Sequence, residues 1–229
     1  RPTVPIRQSQ PIEGSIIWVS HMIEKKKLFA EMQEHLMKDD APSIYFNRIR
    51  EEGKLREHPF SMLERLQKTP QSPKHHPEGS VWNHTLMVVD EAARKKRESR
   101  EPLAFMWAAL LHDIGKADTT KCQGEKVTAY DHDKVGALQA GEFLGEFMED
   151  EGLIRRITAL IRWHMQILFV SKSMKFADIE SMVKDTDIEE IALMGYCDRM
   201  GRLNADRNAE TEHLNRFLEK CREFITKVT

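Results

Sequence analysis

Cysteine is scarce in this 229-residue chain: Cys122, Cys197 and Cys221 make an odd set with no CxxC pair. That pattern excludes a disulfide framework and a thiolate zinc site, and it suits a reducing compartment. Long apolar runs are missing too. Ser15-Ile16-Ile17-Trp18-Val19 falls far short of the roughly 20 residues of a membrane span and lacks the flanks of a signal peptide. Neither sign of charge dominates, since 35 Lys and Arg face 37 Asp and Glu for a net charge of −2. Wrapping of long DNA or RNA is therefore not expected, whereas a small phosphate substrate in a local pocket is compatible. There is no internal repeat, no low-complexity segment and no long stretch alternating at period two. The expected setting is cytoplasmic, with no membrane partner. Residue 1 is arginine, not methionine, so further chain upstream is expected.

What the chain does contain is helical periodicity, with 40% hydrophobic residues and length enough for a full core. Residues 1–20 hold three prolines and form a loose lead-in. Helices are expected from Trp18 to Met37, with Ile23 among its apolar members, and from Ser43, taken as an N-cap, to a stop at Gly53. A short helix follows around Phe60–Leu66. Thr69 to Ser80 is a turn-rich, proline-punctuated loop. Helices then follow over Val81–Arg97, from Pro102 to an end in His112-Asp113, and over Lys134–Asp150 (with Leu138 apolar), Leu153–Val170, Phe176–Lys184 and Ile188–Leu203. A terminal amphipathic helix closes the chain. Between residues 117 and 133 lies a loop with a short hairpin around Gly124. The basic run Arg94–Arg97 is a solvated helix end. The expected fold class is all-α.

The chain is organised around Leu111-His112-Asp113-Ile114-Gly115-Lys116. An apolar helix runs into a histidine and an aspartate and stops at glycine. Burying two such side chains is costly unless a charge compensates them, and a bound cation is the simplest compensation. Other candidates fall on core-facing positions. His84 shares the face of Val81 and Val88, and His164 lies within the apolar stripe of Leu160, Ile161, Ile167 and Leu168. Asp198 is in phase with Ile191 and Gly195, inside Gly195-Tyr-Cys-Asp-Arg-Met-Gly201, where the glycines permit close helix approach. His132 sits just before a helix start. Each alone is compatible with a hydrogen-bonded core residue, and Asp198 with an ion pair to Arg199 or Arg202. Together they suit Mn, Fe, Co, Ni or Zn better than Mg or Ca, which favour oxygen ligands.

The order His84 … His112-Asp113 … Asp198 resembles the HD superfamily of metal-dependent phosphohydrolases, and Leu111–Lys116 resembles its HDIG variant. The match is closer still to the HD domain of bacterial tRNA nucleotidyltransferases (CCA-adding enzymes). It rests on His76-Pro-Glu-Gly-Ser-Val-Trp-Asn-His84-Thr-Leu-Met-Val-Val-Asp90, Tyr130-Asp-His-Asp-Lys-Val-Gly-Ala137 and Ile161-Arg-Trp-His-Met165, and it covers roughly residues 36–205. No Gly-Ser followed by paired aspartates marks a nucleotidyltransferase head, so polymerisation at a tRNA 3′ end is not expected of this chain.

The resemblance implies an HD-domain helical bundle over residues 76–205, with an N-terminal helical extension (1–75) and a C-terminal helix (206–229) packed on it. It implies metal ligands at His84, His112, Asp113 and Asp198. A second ion would use His132 and His164, with Asp113 bridging. Family members with two metals often carry a further histidine where this chain has Met165. The cofactor is one or two divalent transition-metal ions. The implied reaction is hydrolysis of phosphoesters of nucleotides or RNA ends (2′,3′-cyclic phosphodiesterase, 2′-nucleotidase or phosphatase type) by a metal-activated water. Asp113 and Lys116 are the catalytic candidates, and Lys116 is equally readable as a helix-end cation. Arg162, Arg199 and Asp133 are weaker candidates, and His75 and His76 line the entrance or pack. The alternatives are a cyclic-dinucleotide phosphodiesterase or other nucleotidase of the HD group, or a non-catalytic metal- or nucleotide-binding module.

Overall fold

A computed structural model describes residues 13–228 of the chain, with side chains from residue 19 onward. The lead-in expected over residues 1–12 and the side chain of Trp18 lie outside the described residues. The elements are α1 (Glu13–Lys38), α2 (Ser43–Glu51), α3 (Ser61–Glu64), α4 (Val81–Lys95), α5 (Pro102–Leu111) and α6 (Lys116–Thr119). A hairpin of β1 (Thr120–Gln123) and β2 (Lys126–Ala129) comes next. Then follow α7 (His132–Gly145), α8 (Glu151–Trp163), α9 (Gln166–Ser171), α10 (Ile179–Asp185), α11 (Ile188–Met200) and α12 (Arg207–Val228). The fold is helical, as expected, and the small antiparallel hairpin turns at Gly124, whose φ is +58°. Among the described residues no helix is long and apolar enough to cross a membrane.

The centre of the molecule is α5. Pro102 opens it, a position where the missing N–H costs nothing, and every residue from Ala104 to Leu111 is buried. A helix apolar on all sides must be covered on all sides. Here α1, α4, α8 and α11 do so. Phe29 of α1 stacks on Trp107 at 4.6 Å between ring centroids, and Phe143 and Phe147 extend the aromatic cluster. The Trp107 indole N–H donates to Gln33 Oε1 at 3.3 Å, so the one polar atom of the ring is satisfied. α7 packs along α8, while α12 covers α9 and α11.

Several local expectations are corrected. α1 begins at Glu13, so residues 13–17 of the expected lead-in are helical. Ser43 is the first residue of α2, not its cap; its backbone N–H and hydroxyl both donate to Asp90 on α4, at 3.0 and 2.7 Å. Leu138 is 72% exposed and Ile23 61%, each an apolar residue on the solvent side of its helix. Lys96, in the basic run, is more than a solvated end: its ammonium donates to the Leu36 and Asp39 carbonyls, satisfying the open C-terminus of α1.

The expected helix over 153–170 is two helices, α8 and α9, parted at His164-Met165. No glycine or proline causes the break. His164 Nδ1–H donates to the Ile161 carbonyl at 2.7 Å, supplying a partner for an acceptor at the helix end. α5 ends in the same way, with His112 Nδ1–H donating to the Ala109 carbonyl at 2.9 Å. A histidine thus closes each of two helices and turns its other ring nitrogen into the interior.

Candidate metal centre

Six side chains from separate stretches meet beneath the C-terminal ends of α5 and α8. His84 comes from α4, His112 and Asp113 follow α5, His132 opens α7, His164 closes α8, and Asp198 lies on α11. All six are buried. The two helix ends carry partial negative charge, which favours a cation between them. Each imidazole has its Nδ1 occupied by a backbone carbonyl: Gly201 for His84 (3.1 Å), Ala109 for His112, Ala129 for His132 (2.7 Å) and Ile161 for His164. A carbonyl only accepts, so each Nδ1 carries the proton and each ring turns its Nε2 to the centre, as a lone pair where the ring is neutral, while in the metal-free protein His84 Nε2 hydrogen-bonds Asp198.

The four Nε2 atoms converge on Asp113 and Asp198. Asp113 Oδ2 lies 3.2 Å from His112 Nε2 and 3.8 Å from His84 Nε2, while Asp198 Oδ1 lies 2.9 Å from His84 Nε2 and 3.9 Å from His112 Nε2. On the other side, Asp113 Oδ1 lies 3.4 Å from His132 Nε2 and 3.9 Å from His164 Nε2. His132 and His164 bring their Nε2 atoms within 3.3 Å of one another. Two unprotonated nitrogens at that distance repel unless something positive stands by them. His112 Nε2 and Asp113 Oδ1 are buried with no hydrogen-bond partner. Orphaned buried polar atoms are costly and call for a missing partner. A donor set of imidazole nitrogens and carboxylate oxygens, with those two atoms orphaned, fits a divalent transition metal. Two groups could each hold an ion: His84, His112 and Asp198, and Asp113, His132 and His164.

The charge environment separates the same two groups. Burial opposes ionisation of both aspartates, yet Lys116 and His112 beside Asp113, and Arg202 and His84 beside Asp198, hold both well below the usual carboxylate range. Burial brings His164 down to about 4, with His132 and His112 adding to the effect, and it also lowers His132 against the pull of Asp113. His84 behaves differently. Burial pushes it down, but its hydrogen bonds with Asp198 and Glu78 outweigh burial and hold it above the ordinary imidazole value.

The sequence gives no role to Glu78, which the structure places directly behind His84. Its Oε1 lies 3.2 Å from His84 Nδ1 and 2.8 Å from His76 Nδ1, and its side chain is almost wholly buried. Burial alone would raise it, but hydrogen bonds from His84, the backbone and His76 bring it down to about 2. A carboxylate behind an imidazole fixes the ring and strengthens its donor nitrogen. Its only signal in the sequence is its place in His76-Pro77-Glu78. His76 is mostly buried against this pair, and burial, with Lys116 and His84 nearby, lowers it to about 3.

Lys116 reaches back to the cluster, with Nζ 2.7 Å from Asp113 Oδ2 and 2.9 Å from Gln71 Oε1. Gly115 is not a helix stop of the left-handed kind; its φ is −67°. The glycine is required by proximity, because a Cβ there would lie 2.3 Å from the His132 carbonyl and 2.5 Å from the Gly136 nitrogen of α7. Gly201 is equally constrained, since a Cβ would lie 2.5 Å from Val88 Cγ2, and its carbonyl is the one that holds His84. Of the weaker candidates, Arg162 pairs with Asp133 at 2.5 Å and stacks on Trp163, and Arg199 pairs with Glu210 away from the cluster. Arg202 stands 3.5 Å from Asp198. His21, His35 and His213 pair with Glu57, Asp39 and Glu210.

A cavity of about 800 Å³ opens beside the cluster, with His132, Lys116, His76 and Asp133 at its inner end and exposed His75 at its rim. Its volume is in the range of small-molecule sites.

Comparison with known proteins adds a family to this geometry. The HD domain family matches residues 81–192. The multifunctional CCA protein of Actinobacillus pleuropneumoniae serotype 5b (strain L20) is 40% identical over 99 residues, which is 43% of this chain and 22% of that protein. That of Methylococcus capsulatus is 44% identical over 94 residues, covering 41% of this chain and 21% of the relative. The multifunctional CCA protein of Alkalilimnicola ehrlichii is 28% identical over 211 residues, covering 89% and 48%. The chain thus spans between about a fifth and a half of the length of these relatives.

Proposed function

Since residues 81–192 form an HD domain homologous to the HD region of bacterial multifunctional CCA proteins, we propose that the chain is a metal-dependent phosphohydrolase of nucleotides or RNA ends. The observation that carries this reading is the pair of orphaned atoms, His112 Nε2 and Asp113 Oδ1, at the centre of converging imidazoles. His84, His112 and Asp198, with Asp113 Oδ2, would hold one ion. His132 and His164, with Asp113 Oδ1, would hold a second. Residues 1–75, 76–205 and 206–229 are proposed as extension, catalytic domain and covering helix.

When bound, such ions polarise phosphoryl oxygens and acidify water near neutral pH. The chain's own residues supply the rest. The backbone carbonyls of Gly201, Ala109, Ala129 and Ile161 hold the four rings in the tautomer that donates to a metal. Lys116 spends two of its three N–H donors on Asp113 and Gln71. The third is left for a phosphoryl oxygen entering from the cavity.

The test is to strip the protein of metal and reload it in turn with Mn, Fe, Co, Ni, Zn and Mg. Each form is assayed on 2′,3′-cyclic AMP, a phosphomonoester, a generic phosphodiester and a cyclic dinucleotide. Hydrolysis of the cyclic mononucleotide that depends on a transition metal supports the reading. No metal-stimulated hydrolysis of any of these substrates overturns it.

A further inference from the structure

Beside the cluster, the cavity has an apolar wall that the hydrolytic chemistry does not use. Met165, Phe169, Met174 and Phe176 form it, with Tyr130 on the hairpin side. Phe169 and Phe176 lie 5.5 Å apart between ring centroids. The wall is held open to solvent: Tyr130 is 67% exposed and Phe176 46%. Apolar groups that line a cavity and stay exposed are the usual mark of a binding surface.

The wall is built rather than loose. Buried Gln166 clamps the segment after α9, its amide N–H donating to the Phe176 carbonyl at 3.1 Å and its oxygen accepting from the Asp178 N–H at 2.9 Å. The wall and the cluster also share chain. Met165 follows His164 directly, and Tyr130 precedes His132 by two residues, so each side of the wall starts within about 7 Å of a proposed ligand. Lys175, whose Nζ lies 4.9 Å from the Phe176 ring centroid, adds a cation at the same rim.

We propose that this wall is the subsite for the nucleobase of the substrate, so that the base stacks on Phe176 and Tyr130 while its phosphate lies at the cluster. The assignment rests on the phosphohydrolase reading and makes it specific, because a base-free phosphoester would gain nothing from the wall. Every nucleobase has a π-face, so stacking tolerates sequence while rejecting substrates that lack a base.

The test compares kcat/KM for adenosine 2′,3′-cyclic phosphate and for the 2,3-cyclic phosphate of methyl riboside, which has the same sugar and no base. The same ratio is read on a short RNA ending in a cyclic phosphate, which separates a mononucleotide substrate from an RNA terminus. The chain is expected to prefer the base-bearing substrate. Phe176→Ala should cut that preference about tenfold, mainly through KM, and Phe176→Trp should restore it. Leu138→Ala, exposed and outside the cavity, serves as the control. Hydrolysis of both substrates with no preference, or a preference that survives Phe176→Ala, overturns the subsite and leaves the phosphohydrolase reading standing. If no substrate is cleaved under any metal, that reading fails, and calorimetric binding of adenosine 2′-monophosphate decides the subsite. Tighter binding than methyl riboside 2-phosphate, lost in Phe176→Ala, upholds it, and equal binding overturns it.

Discussion

The two oxygens of Asp113 face unlike surroundings. On the Oδ2 side stand Lys116, two histidines and a second carboxylate, Asp198, with Glu78 behind His84 and Arg202 behind Asp198. On the Oδ1 side stand two histidines that burial keeps neutral; among the described residues Asp113 is the one carboxylate within ion-pair distance of either ring, and Asp133 and Asp198 act on them from farther away. The first side is rich in charge and supported from behind. The second is held by carbonyls alone and lies next to the cavity. The lesson is one of division: the supported side is proposed to bind its ion more tightly, and the side by the cavity to meet the substrate.

The most severe way to break this comparison is to remove its shared member. Asp113→Ala is expected to abolish metal binding on both sides and to lower turnover by about a thousandfold or more, read by steady-state assay and elemental analysis. A gentler break removes one side only. His132→Ala with His164→Ala should leave one ion bound, lower turnover by about ten- to a hundredfold and keep the fold, as checked by circular dichroism.

How much of this was legible in the chain depends on the residue. His84, His112, Asp113, His132, His164 and Asp198 could all be picked out, because each is a polar side chain at an apolar phase or a helix boundary. The helical class followed from periodicity, and the hairpin from Gly124. Glu78 and Gln71 were not legible as parts of the centre. They lie in a turn-rich loop with no periodicity, and only tertiary packing brings them against His84 and Lys116. The break between α8 and α9 was hidden for a related reason. The apolar stripe runs on unbroken through His164, and the interruption coincides with a side-chain hydrogen bond that has no signature in the pattern. Gly115 looked like a helix terminator and is a contact glycine instead.

Proton linkage sharpens the comparison in the metal-stripped protein. His164, lowered to about 4, and His76, lowered to about 3, both start from an ordinary value of 6.5. A depressed histidine contributes stability that is complete above its unfolded pKa and is lost as pH falls toward its folded one, because the unfolded chain takes up the proton first. Between pH 7 and pH 5 each should cost about 2 kcal/mol. His84, held above its ordinary value, acts in the opposite sense: its contribution is complete at low pH and fades as pH rises through the folded pKa. The two losses sum to about 4 kcal/mol and His84 offsets a smaller part, so the expected net result is a loss of about 3 kcal/mol at pH 5 relative to pH 7, read from urea midpoints. Unchanged midpoints would show that the neutral histidines are not buried as described.

The smallest expected effect is on the supporting carboxylate. Glu78→Gln keeps the shape behind His84 and removes the charge, and should weaken metal affinity about tenfold without changing the number of ions bound. Competition with a metallochromic chelator reads this directly. An equal loss of affinity in Arg199→Gln, whose guanidinium is turned to Glu210 and away from the cluster, would mean that the effect is not specific to the support of His84.

The division of Asp113 between two sites is tested most directly by counting ions. Metal-stripped chain is reloaded with manganese, dialysed and measured by elemental analysis, alongside the His132→Ala, His164→Ala double variant. Two ions per chain in the wild type and one in the double variant are the predicted result. One ion or fewer in the wild type, or the same number in both proteins, would contradict the account.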